Sequence, residues 1–257
     1  LDLDGMVAAA LQHSRDGWFL ARVGREVAGG SLETDLPPQV TYDPRAVARF
    51  VARVADRLDR PPRDAQVRYS ARALGMVRGR NGVRVDRSHL RRAVARALRQ
   101  TGAARTVGVR ATRIRPRVTR AQLPRKYPVI VTIDRARFQL YLWKRLRRVK
   151  TYTVAIGQAG FDTPTGLYHV QNKAVDPVWT VPHSSWTGGL AGQQIPPGPS
   201  NPLKARWLGI ADGAGIHGTD DVASLGTAAS HGCVRMAVPD VIELYDEVPV
   251  GAPIYIA

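Results

Sequence analysis

The chain has 257 residues, 44% of them apolar, and a formal net charge of +17. That length favours two domains over one, and no run approaches the roughly 18 uninterrupted apolar residues that a membrane-spanning helix needs. The charge is uneven: residues 1–126 hold 27 Lys/Arg against 11 Asp/Glu, whereas residues 151–257 hold 4 against 9. A basic half attracts polyanions such as nucleic acid, anionic lipid or an anionic cell-wall polymer, or else Arg simply fills solvated positions, and charge does not choose among these. A single cysteine, Cys233, excludes a disulfide within the chain.

In chain order, a helix is expected near Met6–His13. A second covers 43–59, with Asp43 as cap, Pro44 at the first helical position, and Val47, Phe50, Val51, Val54 and Leu58 on one face. Short strands at Val67–Tyr69 and Val83–Val85, with a helix from Asp86 to a glycine cap at Gly102, make a small α+β unit. The Arg-rich stretch 105–125 has little apolar periodicity and reads as a linker or connecting edge segment, so the domains divide as 1–123 and 124–257. Beyond it the period changes to two. Val129–Asp134, Arg137–Leu142 and Val149–Ile156 predict an antiparallel meander, with further strands at Gly166–Ala174, Leu208–Ile210 and Pro253–Ile256 and a helix from Pro239 to Glu247. The fold class is multidomain, a mainly-β C-terminal domain after a smaller α+β N-terminal one.

A thiol becomes a nucleophile as thiolate, so a catalytic cysteine needs a base, a cation or backbone dipoles beside it. His231 precedes Cys233 by two residues and His217 by sixteen, at the apparent end of a strand whose return would bring it to the thiol. Gly232 permits a sharp turn that would aim the Gly232 and Cys233 amides at a developing oxyanion. The same set also suits zinc, but no HExxH, paired CxxC or clustered carboxylate supplies further ligands, so neither metal nor cofactor is expected. The segment 178–202, rich in Gly, Pro and Trp, is too long for an idle connection; it either covers a substrate or forms an Ω-loop that packs its own tryptophans.

Ile216-His217-Gly218-Thr219, Ser224-Leu225-Gly226 and Ser230-His231-Gly232-Cys233-Val234-Arg235-Met236 together resemble the catalytic motif of the YkuD-type L,D-transpeptidases. Thr163-Pro164-Thr165-Gly166 and Asn201-Pro202-Leu203 resemble the same family, and the likeness covers about residues 124–257. The N-terminal part is similar, more loosely, to the peptidoglycan-binding domain that often precedes it. The resemblance implies that Cys233 attacks a peptidoglycan tetrapeptide stem, releases D-alanine and passes the acyl group to a second stem as a 3→3 cross-link. It gives His217 the proton shuttle, the Gly218 carbonyl the orientation of the imidazole, and His231, Gly232 and Ser230 supporting roles. Arg235 stands where many members have Asn, and would either bind a substrate carboxylate bidentately or tie down the catalytic loop.

Tyr168 and Trp179 are candidates for contact with the stem. Expected partners are donor and acceptor stem peptides, with anionic wall polymers for the basic half. That half lacks interleaved aromatics or a groove-reading motif, so nucleic acid is not expected. The expected location is the bacterial cell envelope outside the cytoplasmic membrane, reached by export or held by an anchor in a segment absent from this chain. An L,D-carboxypeptidase would use the same residues with water as acceptor. A cysteine amidase whose Cys precedes its His residues is opposed by chain order, and a non-catalytic wall binder by the presence of both His217 and Cys233.

Overall fold

A computed structural model describes residues 2–16, 19, 23, 27, 40–100, 106–211 and 213–257. It divides into two compact units, Leu1–Arg63 with Arg80–Pro116 and Asp64–Gly79 with Arg117–Ala257. The expected division at 123/124 is therefore crossed by an excursion: the hairpin of β1 (Gln66–Tyr69) and β2 (Leu74–Val77) belongs to the C-terminal unit. The cause is a packing preference that local pattern does not reveal. Ala65 and Val67 are buried with Leu123, Ile130, Tyr141 and Trp143.

In the N-terminal unit, α1 (Leu3–Arg15) opens on Asp2, whose carboxylate accepts from the Gly5 amide. The next helix, α2 (Pro44–Leu58), opens on Asp43, which accepts from Arg45 N at 2.7 Å. Its buried line is Val47, Val51 and Ala55, an i, i+4, i+8 stripe. Phe50 and Leu58, expected on that face, are exposed. Strand β3 (Gly82–Val85) leads to α3 (Arg87–Arg99) and then pairs antiparallel with β4 (Ala111–Ile114), so the expected linker contains an edge strand. The predicted cap at Gly102 lies outside the described residues. Among the described residues no helix is long and apolar enough to cross a membrane.

The C-terminal unit is mostly β. After α4 (Leu123–Lys126), β5 (Val129–Asp134), β6 (Gln139–Lys144) and β7 (Arg147–Thr153) form the expected antiparallel meander. Short β8 (Ile156–Gly157) follows. The run predicted as one strand at 166–174 splits into β9 (Gly166–His169) and β10 (Asn172–Val175), which go to different sheets. β11 (Trp179–Thr180) pairs with β12 (Gln194–Ile195) inside the long segment. The remaining elements are β13 (Arg206–Ala211), β14 (Ala214–Thr219), β15 (Ala228–Ser230), β16 (Val234–Ala237), α5 (Val238–Glu247) and β17 (Pro253–Ile256).

One sheet has the order β7-β6-β5-β17-β9 and the other β10-β13-β14-β16. The main core joins inward residues of both, Val131, Ile133, Leu140, Ile254 and Ile256 from the first and Leu208, Ile210, Ile216, Val234 and Met236 from the second, with Val241 and Leu244 of α5. Each fully buried side chain of this size contributes about 1.5–3 kcal/mol. The opposite face of β5 and β6 is also buried, through Ile130, Tyr141 and Trp143. Burial on both faces is why β5 reads as an apolar run rather than an alternation. Its one mid-strand hydroxyl, on Thr132, is satisfied: it donates to the Ala71 carbonyl at 2.7 Å and accepts from Trp143 Nε1 at 3.0 Å.

Candidate active site

β14 and β16 lie side by side and parallel, with His217 opposite Arg235 and Ile216 opposite Val234. The strand return foreseen from sequence is thus a parallel crossover through 220–233, not a hairpin. Since alternate residues face opposite ways, Ile216, Val234 and Met236 enter the core, while His217, Arg235 and, one residue before the strand, Cys233 line a cavity on the other face. Gly232 makes the turn at φ +105°, a region closed to most side chains. Buried Ser230 closes the turn by donating its hydroxyl to the Cys233 carbonyl at 2.5 Å.

His217 is 5% exposed, and its Nδ1 lies 2.8 Å from the Gly218 carbonyl oxygen. A carbonyl only accepts, so Nδ1 carries the hydrogen and the neutral ring keeps its lone pair on Nε2. Burial pulls the His217 pKa down to about 4, with the Arg235 charge acting the same way and the Gly218 and Pro202 carbonyls opposing it. Burial likewise pushes the Cys233 thiol up, against the Gly215 amide and the Arg235 charge. Both groups therefore rest neutral near pH 7. The Cys233 sulfur donates weakly toward the Gly213 carbonyl at 3.9 Å.

The cavity measures about 490 Å³. Its aromatic wall comes from the long segment: Trp186 stacks on His231 with ring centroids 4.1 Å apart, and Trp179 stacks on Trp186 at 6.3 Å. Phe161 meets His231 edge-on at 4.9 Å. Asn201 fixes the segment's ends. Fully buried, it donates from Nδ2 to the Pro177 and Ile195 carbonyls at 2.8 and 3.1 Å and accepts from Leu203 N at 2.9 Å, which gives the Asn201-Pro202-Leu203 motif its physical purpose. Thr163 does similar work, its hydroxyl accepting from the Gly157 amide at 2.8 Å.

Cys233, His217, His231, Ser230, Arg235 and Trp179 thus line one cavity. Tyr168 does not; its ring packs against the main core and its hydroxyl donates to the Thr165 carbonyl at 2.8 Å. Gly218 and Gly232 act through backbone. Sequence reasoning passed over Trp207. It lies opposite His217 across the β13–β14 hairpin, the two rings 6.2 Å apart, and its indole N–H is held by Asn172 Oδ1 at 2.9 Å. Gly215 makes room for it: a Cβ there would fall 2.4 Å from the indole ring. Among the described residues no group of three or more His, Cys, Asp or Glu side chains could hold a metal ion.

A family model described as the L,D-transpeptidase catalytic domain, YkuD, matches residues 128–256, half of the chain, and the chain belongs to that family. A second, described as a "Putative peptidoglycan binding domain", matches residues 1–106. Among curated relatives, the "Putative L,D-transpeptidase YkuD" of Bacillus licheniformis is 33% identical over 131 residues, 51% of this chain and 65% of that protein. Its namesake in Bacillus subtilis is 35% identical over the same shares. The chain thus spans just under two thirds of the length of these relatives. Solved structures that resemble it include an L,D-transpeptidase from Mycobacterium smegmatis, 18% identical with a TM-score of 0.41 over 86% of this chain and 87% of that one. The catalytic domain of an Enterococcus faecium L,D-transpeptidase is 21% identical with a TM-score of 0.41, over 51% and 98%.

Proposed function

We propose that the protein is a peptidoglycan L,D-transpeptidase of the bacterial cell envelope that works through a Cys233 acyl-enzyme. The observation that carries this reading is the pairing of a buried imidazole, its tautomer set by Gly218, with the lone thiol on adjoining strands that open into one cavity. His217 Nε2 takes the thiol proton as sulfur attacks the carbonyl of the third stem residue. A C–S bond forms, and the amides of Gly232 and Cys233 hold the oxyanion. The C–N bond then breaks, and His217 returns the proton to the amine of departing D-alanine. The side-chain amine of a second stem next attacks the thioester, gives its proton to His217 and regenerates the thiol, leaving a 3→3 cross-link. Because both groups rest neutral, the charged pair forms only on the way to the transition state, where bound substrate replaces water. The N-terminal unit is the wall-binding part in this reading. Residues 80–116, with 11 Arg against one Asp, offer charge for anionic wall polymers.

Incubation with disaccharide-tetrapeptide followed by mass spectrometry tests the reading. The expected products are free D-alanine and a cross-linked dimer, both absent in Cys233→Ala. Tripeptide without dimer would assign an L,D-carboxypeptidase, with water as acceptor, and no D-alanine release from any tetrapeptide would overturn the enzymatic reading.

A further inference from the structure

The cavity is lined by apolar and aromatic side chains, neutral imidazoles and one permanent charge. Arg235 supplies that charge, and among the described residues no carboxylate or lysine lines the wall. Its guanidinium, half-buried, makes no ion pair or hydrogen bond among the described residues. The other reading of Arg235, a tie for the catalytic loop, is thus left without a bond: the loop is closed instead by Ser230 on the Cys233 carbonyl and by the Ala155–Arg235 backbone bridge. A planar five-donor cation held half out of water with its donors unspent is arranged to receive an anion in bidentate fashion.

The position narrows which anion. Cys233, one residue before β16, and Arg235 within it are two residues apart and line the same cavity, a spacing of about 6.6 Å between their backbones where the chain is extended. A ligand carbonyl at the sulfur therefore sets its next residue within reach of the guanidinium, since one residue advances a chain by about 3.5 Å. Among the described residues along this wall, Arg235 is the one that would neutralise a negative charge there.

We propose that Arg235 binds the free α-carboxylate of the donor's leaving residue, so that the site reads a chain terminus one residue beyond the carbonyl that Cys233 attacks. The proposal rests on the acyl-transfer reading above and names the side chain that would read the donor's terminal carboxylate. Arg235 lines the same cavity as Cys233, His217 and His231.

The test compares a free tetrapeptide donor with the same peptide carrying a C-terminal amide, in the wild-type protein, Arg235→Lys and Arg235→Gln. In the wild type the amide should raise KM and lower kcat/KM by about 10- to 100-fold, the range for a hydrogen bond to a charged group. Arg235→Gln should lose activity on the free acid and no longer distinguish the two donors, while Arg235→Lys keeps the charge without the fork and retains part of the discrimination. Equal wild-type turnover of acid and amide would overturn the anchor and leave the transpeptidase reading standing. So would an Arg235→Gln loss that falls equally on both donors, the signature of a charge that only tunes the thiol. Turnover of neither donor by the wild type would remove the acyl-transfer reading and this inference with it.

Discussion

Replacing His217 with Gln should flatten the acid sensitivity of the C-terminal unit's stability between pH 6.5 and about 4. The folded pKa of His217 is depressed to about 4 because burial disfavours the imidazolium, and in the unfolded chain it returns to about 6.5. Above pH 6.5 neither state holds the proton, so the group contributes nothing to pH dependence. As pH falls below 6.5 the unfolded chain takes up a proton that the folded site refuses, and unfolding gains until the folded ring also titrates. A depression of this size, at 1.36 kcal/mol per pKa unit, corresponds to about 3 kcal/mol of lost stability. The assay is urea denaturation of wild type and His217→Gln at pH 7.5 and 4.5. Tryptophan fluorescence suits it, because Trp143, Trp179, Trp186 and Trp207 all lie in this unit. Carboxylates titrate in both proteins and cancel in the difference. The wild type should lose about 2–3 kcal/mol more than the variant; parallel losses would mean that the imidazole is not held neutral by burial, and the resting state argued above would be wrong.

Two further substitutions address the walls. Gly215→Ala places a methyl 2.4 Å from the Trp207 ring, so the indole must leave its bond to Asn172; kcat/KM should fall by about 10- to 100-fold, with about 1–3 kcal/mol lost in stability. Unchanged turnover and Tm would show that the ring yields freely. Asn201→Ala strips the Pro177 and Ile195 carbonyls of their donor, at a cost on the order of 2 kcal/mol. Chymotrypsin should then cut after Trp186 faster than in the wild type, and equal rates would remove Asn201 as the clamp of the segment.

The parts legible in the sequence were those with local or periodic signals. Asp43-Pro44 and Asp86 announced two helices, the period-two runs announced the meander, and the glycine-flanked Cys233 with His217 upstream announced two side chains that line one cavity. What escaped depends on long-range register. Trp207 reaches the site only because it lies opposite His217 across the hairpin, although the Asp212-Gly213 pair between two strand-like runs was a usable hairpin signal. The division of 166–175 between two sheets had no such signal, because the break falls at Val170-Gln171 without glycine or proline. The attachment of β1 and β2 to the C-terminal unit was hidden for another reason. It is decided by the second apolar face of β5 and β6, and a strand buried on both faces does not say in its sequence what will cover each.

The neutral resting state of Cys233 has a consequence for its reaction with small oxidants. Peroxide and alkylating agents react with thiolate far more readily than with thiol, and this chain has no second cysteine to form a disulfide that could rescue an oxidised one. Burial that holds the sulfur protonated, in a cavity that Trp179, Trp186 and His217 also line, makes it a poor target for oxidants. The same burial that lowers the basicity of His217 thus shields the one sulfur nucleophile of this chain from oxidation.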